Sequence, residues 1–253
     1  MKKPQRFVVI SDTHGTEADG AAVAAMLDFV ESFKPTLKVH AGDLFDFACL
    51  RRNASEQERR QPIIDDIDAG LQLIEEFAPT HYLRGNHCER LWDCLKSDDG
   101  KIRDIGGEWT GRIEHALALQ KTAMLPYHKR DGVLRIGHLK IVHGYHSGLT
   151  AARMAAQVYG SVLMGHIHAI DQFSIPGIER RIGRAIGCLC KLDQDYNRAQ
   201  ANTLRQQHGF VYGFILPNGS YQVFQAESLE GSWYFPTEFR ECKPRRTAKR
   251  DAA

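Results

Sequence analysis

The chain lacks the roughly 18 consecutive apolar residues that a membrane-spanning helix needs, so no membrane partner is expected. It also lacks any cysteine pair spaced C-x-x-C. Cys49, Cys88, Cys94 and Cys242 stand apart, and Cys188-Leu189-Cys190 has no second pair to complete a structural zinc site. Free thiols in a reducing compartment are the simpler reading, and a cytoplasmic location is expected. A dominant charge is missing too. The 33 Lys and Arg are nearly balanced by 31 Asp and Glu, so composition alone makes no case for a nucleic-acid binder. At the N-terminus, MKKPQRFVVISDTHG has a basic start but only the short apolar run V-V-I before polar residues. That pattern predicts a buried first strand and no signal peptide. No repeat or linker divides the 253 residues, which predicts one domain.

What the chain does have is a regular succession of strand and helix patterns. Phe7–Ser11 is β-branched, and Ala18–Phe33 places Val23, Met26, Leu27 and Val30 at helical spacing ahead of Pro35. Strands are expected at Thr36–Ala41 and Thr80–Arg84. Between them a helix is expected from Pro62 to Phe77, with Ile63, Ile67, Leu71, Ile74 and Phe77 near one face. This order predicts βαβ units and a largely parallel sheet. Further on, helical stretches are expected near 112–121 and at Gly148–Tyr159. Strands are expected at Leu134–His143, Gly160–Gly165, Ile170–Ile175 and Arg184–Leu189. Gly209–Leu216, Pro-Asn-Gly and Tyr221–Gln225 give the clearest hairpin signal. The basic stretch Arg240–Arg250, within a tail from 236 to 253, is expected to be flexible, and either solubilises the chain or touches nucleic acid.

Twelve histidines are present, and several fall in short glycine-containing segments where apolar runs stop. The first run delivers Asp12-Thr13-His14, the second Gly42-Asp43, and the third Gly85-Asn86-His87. Later runs deliver His143-Gly144 and Gly165-His166-Ile167-His168. Any one of these endings could be an ordinary turn. Five in order are another matter, because parallel sheets bind ligands beyond the carboxyl ends of their strands. The donors are oxygen and nitrogen without thiolate, which suits Mn, Fe, Zn, Co or Ni. A shared Asp can bridge two ions about 3.5–4 Å apart. Two divalent cations facing two carboxylates and a hydroxide leave a net positive centre, which attracts phosphoryl groups.

The series Asp12-x-His14, Gly42-Asp43, Gly85-Asn86-His87, His143 and Gly165-His166-x-His168 resembles the calcineurin-like metallophosphoesterase superfamily. The resemblance implies an α/β fold of four layers, α/β/β/α, in which two mixed sheets are flanked by helices over residues 1–235. It implies a first metal held by Asp12, His14, Asp43 and His168, and a second by Asp43, Asn86, His143 and His166, with Mn²⁺ the expected ion. Asn86 would also touch substrate. The activity implied is hydrolysis of a phosphate ester by in-line attack of a hydroxide bridging the two metals, with His87 protonating the leaving group. The substrate reading is a phosphodiester, either nucleic acid or a nucleotide. The alternatives are a phosphomonoester, including a phosphoprotein, and a binding module that has lost catalysis.

Some residues depart from the pattern. Cys88 stands where an acidic residue often follows the Asn-His pair, and a thiol nucleophile is unnecessary beside a water-activating metal pair. The stretches G-D-L-F-D and L-R-G-N-H also resemble the protein serine/threonine phosphatase branch, which implies that Asp46 supports His87. That branch continues with a phosphate-gripping arginine, and here the residue is Phe47. His146 either faces the pocket as a substrate contact or lies in its loop. Arg51 and Arg52, with Arg59 and Arg60, either steer a polyanionic substrate or form a solvated face tempered by Glu56 and Glu58. Oligomeric state is left open.

Overall fold

The computed structural model describes residues 3–192 and 201–236, so the basic tail beyond Pro236 lies outside them. The first half alternates strand and helix as the apolar periods predict. Strand β1 (Gln5–Ile10) precedes α1 (Gly20–Phe33), which starts where the Asp19 side chain accepts the Ala22 N–H. It stops at Lys34, a left-handed residue just before Pro35. Next come β2 (Leu37–His40), the single turn α2 (Glu56–Arg59) and α3 (Ile63–Phe77), which begins directly after Pro62. After β3 (His81–Leu83) the chain enters α4 (Asn86–Cys94), α5 (Gly100–Leu119) and β4 (Ala123–Leu125). The helix expected near 112–121 is only the second half of α5. Its first half carries Gly100, Gly106 and Gly107, poor helix formers that mask the period.

The second half is richer in strands: β5 (Leu134–Ile136), β6 (Leu139–Val142), then α6 (Ala151–Tyr159) and β7 (Val162–Met164). Strands β8 (Ile170–Ile175) and β9 (Arg181–Ile186) follow, so the strand expected at Arg184–Leu189 starts three residues earlier. The hairpin β10 (Gly209–Ile215) and β11 (Tyr221–Leu229) turns where the Gly219 N–H reaches the Leu216 carbonyl, and β12 (Ser232–Trp233) ends the described chain.

One sheet has the order β12-β11-β10-β1-β2-β3-β4 and the other β5-β6-β7-β9-β8. Strands β1 to β4 run parallel, as predicted, but β10 joins β1 antiparallel, so the sheet is mixed. In the second sheet β6, β7 and β9 are parallel, with antiparallel β5 and β8 at the edges.

The alternation within β1 shows how the layers stack. Phe7 and Val9 join Val39, Leu83, Ile141, Leu163 and Ile186 in a core between the two sheets. Val8 and Ile10 face the other way, into a core with Met26, Phe29, Ile67, Phe77 and Ile113 from α1, α3 and α5. On the far side, Val142, Val162 and Met164 pack against Ala151 and Ala155 of α6. The order is therefore helices, sheet, sheet, helix: the four layers that the family resemblance implied, of which a parallel βαβ reading captures only the first two. Strands β1, β2 and β3 of one sheet and β6 and β7 of the other all direct their carboxyl ends toward one edge.

Candidate metal centre

At that edge the loops after β1 and β2 are laced together. The N–H groups of Asp12, Thr13, His14 and Gly15 donate to the carbonyls of Gly42, Asp43 and Leu44. Two glycines allow the close approach. Gly42 has φ +113°, and a Cβ there would lie 2.3 Å from Nδ1 of His143; a Cβ on Gly85 would lie 2.1 Å from a carboxylate oxygen of Asp43. Asp12, His14, Asp43, His166 and His168 all occupy the left-handed region, with φ of 55°, 54°, 49°, 72° and 55°. Each costs about 1–2 kcal/mol for a residue with a Cβ. Strain concentrated on one cluster of polar residues marks a site whose geometry is held against local preference.

The cluster has two halves. In the first, Nε2 of His14 lies 3.1 Å from Nε2 of His168, and one oxygen of Asp12 lies 3.8 and 3.4 Å from these two nitrogens. In the second, Nε2 of His143 is 3.1 Å from Asp43 and 3.0 Å from the amide oxygen of Asn86. That oxygen is 2.8 Å from Nδ1 of His166. Asp12, His14, Asp43, His143 and His168 are buried, while Asn86 and His166 are half-buried. The structure therefore brings together all seven residues to which the family resemblance assigned a metal. Asn86-His87, readable as a turn, instead opens α4, with Gly85 at its cap.

The proton positions follow from the outer partners. The Ala41 carbonyl, 3.0 Å from Nδ1 of His143, can only accept, so that nitrogen carries the proton and the Nε2 lone pair faces Asp43 and Asn86. The Asp46 carboxylate, 2.9 Å from Nδ1 of His14, does the same for that imidazole. Lone pairs of nitrogen and oxygen thus converge at about 3 Å in both halves, an arrangement that a cation relieves. The donor set fits divalent ions.

Without ions, protons take that role. Burial opposes charge on His14, but Asp12 and Asp46 outweigh it and raise its pKa well above the ordinary value. His143 is also raised, burial being outweighed by Asp43, and His168 is raised against burial with help from Asp12. Burial would raise Asp12 and Asp43, yet hydrogen bonds from His14 and His168 to the first, and the charge of His143 near the second, hold both below the carboxylate range. His166 goes the other way: burial and His143 push it down to about 4, so it stays neutral.

His87 lies against this centre too, a ring nitrogen coming within 4.8 Å of donor atoms of His14 and Asp43. Its Nδ1 is 2.6 Å from Asp46, on the same oxygen that accepts from His14, and its backbone N–H donates to Asp43 at 2.8 Å. Burial lowers its pKa even though Asp43 and Asp46 pull upward. Cys88 is fully buried, its thiol donates toward the Phe45 carbonyl, and burial pushes it up to about 12. That is not a nucleophile. Cys190 lies behind the first half, with Sγ 3.7 Å from Nδ1 of His168.

The outlying residues are placed differently. The Arg51 guanidinium is gripped by both oxygens of Glu58 at 2.7 and 2.6 Å, and Arg52 is exposed. His146 is half-buried and has no hydrogen-bond partner among the described residues. Phe47 is buried and stacks on Phe45 with centroids 5.2 Å apart, so the position of the missing arginine belongs to the core.

Two residues were not singled out in the sequence. Buried His40 accepts the Gly42 N–H on Nδ1 and meets the Thr13 hydroxyl, which donates to the Leu44 carbonyl, and burial drives its pKa down to about 3. It pins the two laced loops as a neutral group. Asp66 of α3 accepts from the N–H groups of Thr16, Asp46 and Phe47, at 3.3, 3.1 and 2.9 Å. Burial raises it to about 6. His40 ends a strand in V-H-A, a weak signal that could have been noticed. Asp66 lies mid-helix among Asp65 and Asp68 and carries no signal of its own.

Comparison with known proteins agrees with this geometry. The sequence matches the calcineurin-like phosphoesterase family model over residues 5–169. No curated protein sequence matches. Among solved structures, similar folds include a metallophosphoesterase from Sphaerobacter thermophilus, with 16% identity, 90% of this chain and 89% of that chain covered, and a TM-score of 0.45. A Vps29 single mutant from Entamoeba histolytica aligns at 11% identity over 89% and 100%, TM-score 0.41. Nuclease MPE from Pseudomonas putida aligns at 11% over 86% and 87%, TM-score 0.35. The family match spans more than half of the chain and includes every strand-end residue that builds the cluster, so the protein belongs to the calcineurin-like phosphoesterase family.

Proposed function

We propose that this chain is a metal-dependent phosphodiesterase, acting on nucleic acid or a nucleotide, with Asp12, His14, Asp43 and His168 holding one divalent ion and Asp43, Asn86, His143 and His166 a second, Mn²⁺ being the expected metal. Bound there, two divalent cations supply a water of lowered pKa and neutralise charge on the phosphoryl oxygens. The observation that supports the reading is His87, aimed by Asp46 and close to His14 and Asp43; the reading gives it proton transfer and not metal binding.

The chain's own part is orientation and proton transfer. Asp43 fixes the start of α4 by accepting the His87 N–H. Asp46 accepts the Nδ1 proton of His87; when the ring is doubly protonated, the Nε2 proton is the one available to the departing oxygen, and its loss leaves neutral His87 still bonded to Asp46. His14 and His143 keep their ligating nitrogens turned inward through Asp46 and Ala41.

Preference for a diester is supported by what the nearby arginines do. A monoester dianion gains most from extra cations, but Arg51 is held by Glu58, and Arg90 donates to the Asp46 carbonyl at 2.8 Å. Arg84 lies over the Trp92 ring and beside Glu89. Phe47 stands where an arginine would grip phosphate. A singly charged diester asks less of such a mouth.

The test is hydrolysis of bis(p-nitrophenyl) phosphate against p-nitrophenyl phosphate by metal-stripped protein reconstituted with Mn²⁺, with Asp43→Asn alongside. A diester preference that vanishes in the variant supports the reading. A monoester preference moves it to a phosphatase, and failure on both, on nucleotides and on phosphopeptides would leave a binding module.

A further inference from the structure

Away from the metal centre, a cavity of about 420 Å³ opens between β9 of one sheet and the β10–β11 hairpin of the other. Arg180, Arg184 and Tyr221 line it, with Phe214 and Val223 forming an apolar wall. Arg184 pairs in register with Leu163, upstream of the strand end that carries His166, and Arg180 lies farther back still. The cavity is therefore displaced from the metal edge.

Its electrostatics are unbalanced. The Arg184 guanidinium is half-buried and donates from Nη1 to the Val223 carbonyl at 3.2 Å, one of its five N–H groups. Among the described residues neither Arg184 nor Arg180 forms an ion pair with a carboxylate. Burial and the neighbouring Arg180 both push the Arg184 pKa down, so the two cations repel across the cavity. The Tyr221 hydroxyl, with its ring beneath Arg180, is buried and has no hydrogen-bond partner among the described residues. Donors thus outnumber acceptors around one small space. Arg180 is exposed, but Arg184 is half-buried and the Tyr221 hydroxyl is buried; buried charges and hydroxyls in folded proteins are paired, and an apolar wall strengthens the attraction for whatever pairs them.

We propose that Arg180, Arg184 and Tyr221 form an anion site that takes a phosphate group, distinct from the metal centre. A tetrahedral oxyanion accepts from both guanidinium groups and the phenol at once, using the fork geometry that suits arginine to phosphate. The phosphate is either free or carried on a nucleic-acid strand, and the chemistry of recognition is the same.

The test follows backbone amides of the full chain, loaded with diamagnetic Zn²⁺, by NMR during titration with inorganic phosphate. The amides of 180–184 and 221–223 are expected to shift saturably. Arg180→Gln and Tyr221→Phe should each weaken that response about ten-fold, while the amides of Asn86 and His166 respond as in the unsubstituted chain. Neither variant alters a residue of the strand-end cluster, and Tyr221→Phe keeps the ring that packs against the core between the sheets. Equal shifts with sodium chloride at matched ionic strength, or unchanged affinity in either variant, overturn the site. A second arm uses a short single-stranded phosphorothioate oligonucleotide. Tighter binding than inorganic phosphate at the same amides identifies a nucleic-acid backbone as the source, and no gain identifies free phosphate.

Discussion

One oxygen of Asp46 lies 2.6 Å from Nδ1 of His87, and the same oxygen lies 2.9 Å from Nδ1 of His14. A single carboxylate therefore orients both His14, within the strand-end cluster, and His87, beside it. Burial would raise Asp46, but hydrogen bonds from His14 and His87 hold it well below the carboxylate range, so it remains an acceptor. Asp46→Asn keeps the shape and removes the charge. It is expected to weaken metal binding about 10- to 100-fold and to lower kcat at saturating metal as well. Metal titration followed by kinetics at saturation separates the two losses.

His87→Ala is expected to lower kcat by about 10²- to 10³-fold for diesters with poor leaving groups. The loss should shrink for p-nitrophenyl esters, whose leaving group needs no proton. Because burial lowers the His87 pKa, the rate with poor leaving groups should fall as pH rises through a value below the ordinary histidine pKa, and that alkaline limb should be absent from the variant. A pH–rate profile on two substrates of different leaving-group pKa checks both.

Metal affinity should climb with pH. His14, His143 and His168 have raised pKa values in the ion-free protein, and each must lose its proton to bind a cation. The sign for ion-free stability is opposite. Raised folded-state values contribute stability that is fully present below the unfolded value of about 6.5 and is lost as pH rises through the folded values. Thermal melts with and without Mn²⁺ should therefore diverge as pH increases, the ion-free Tm falling and the metal-dependent increment growing.

Asp66→Ala leaves the N–H groups of Thr16, Asp46 and Phe47 without their acceptor. A loss of about 2–4 kcal/mol in unfolding free energy is expected, from roughly 1 kcal/mol for each hydrogen bond and more for groups left buried. Urea denaturation measures it. Asp66 has a folded pKa of about 6, above its unfolded value, so its protonated form is favoured in the fold. Its contribution is present below about pH 4 and is lost as pH rises through 6. The variant should lack that slope.

The strand-end residues were legible because each polar group interrupts an apolar run next to a glycine, and the structure shows why. Gly42 and Gly85 leave room for His143 and Asp43. The two-sheet architecture was not legible from periodicity, since nothing local in β6, β7 or β9 states which sheet they join; the family resemblance supplied it. Glycines hid the first half of α5. Asp66 escaped notice because its partners are backbone N–H groups of two loops, which leave no pattern in the sequence. Arg51 shows a further limit: a basic stretch reads as a steering patch until its carboxylate partner, Glu58, is placed against it.

The central claim is that the strand-end cluster holds two divalent ions through a shared Asp43. The most direct measurement is metal content per chain by plasma mass spectrometry, after Mn²⁺ reconstitution and exhaustive dialysis, for the unsubstituted protein and Asp43→Asn. The account predicts two ions per chain in the first and at most one in the second. A single ion or none in the unsubstituted protein, or equal content in both, would contradict it.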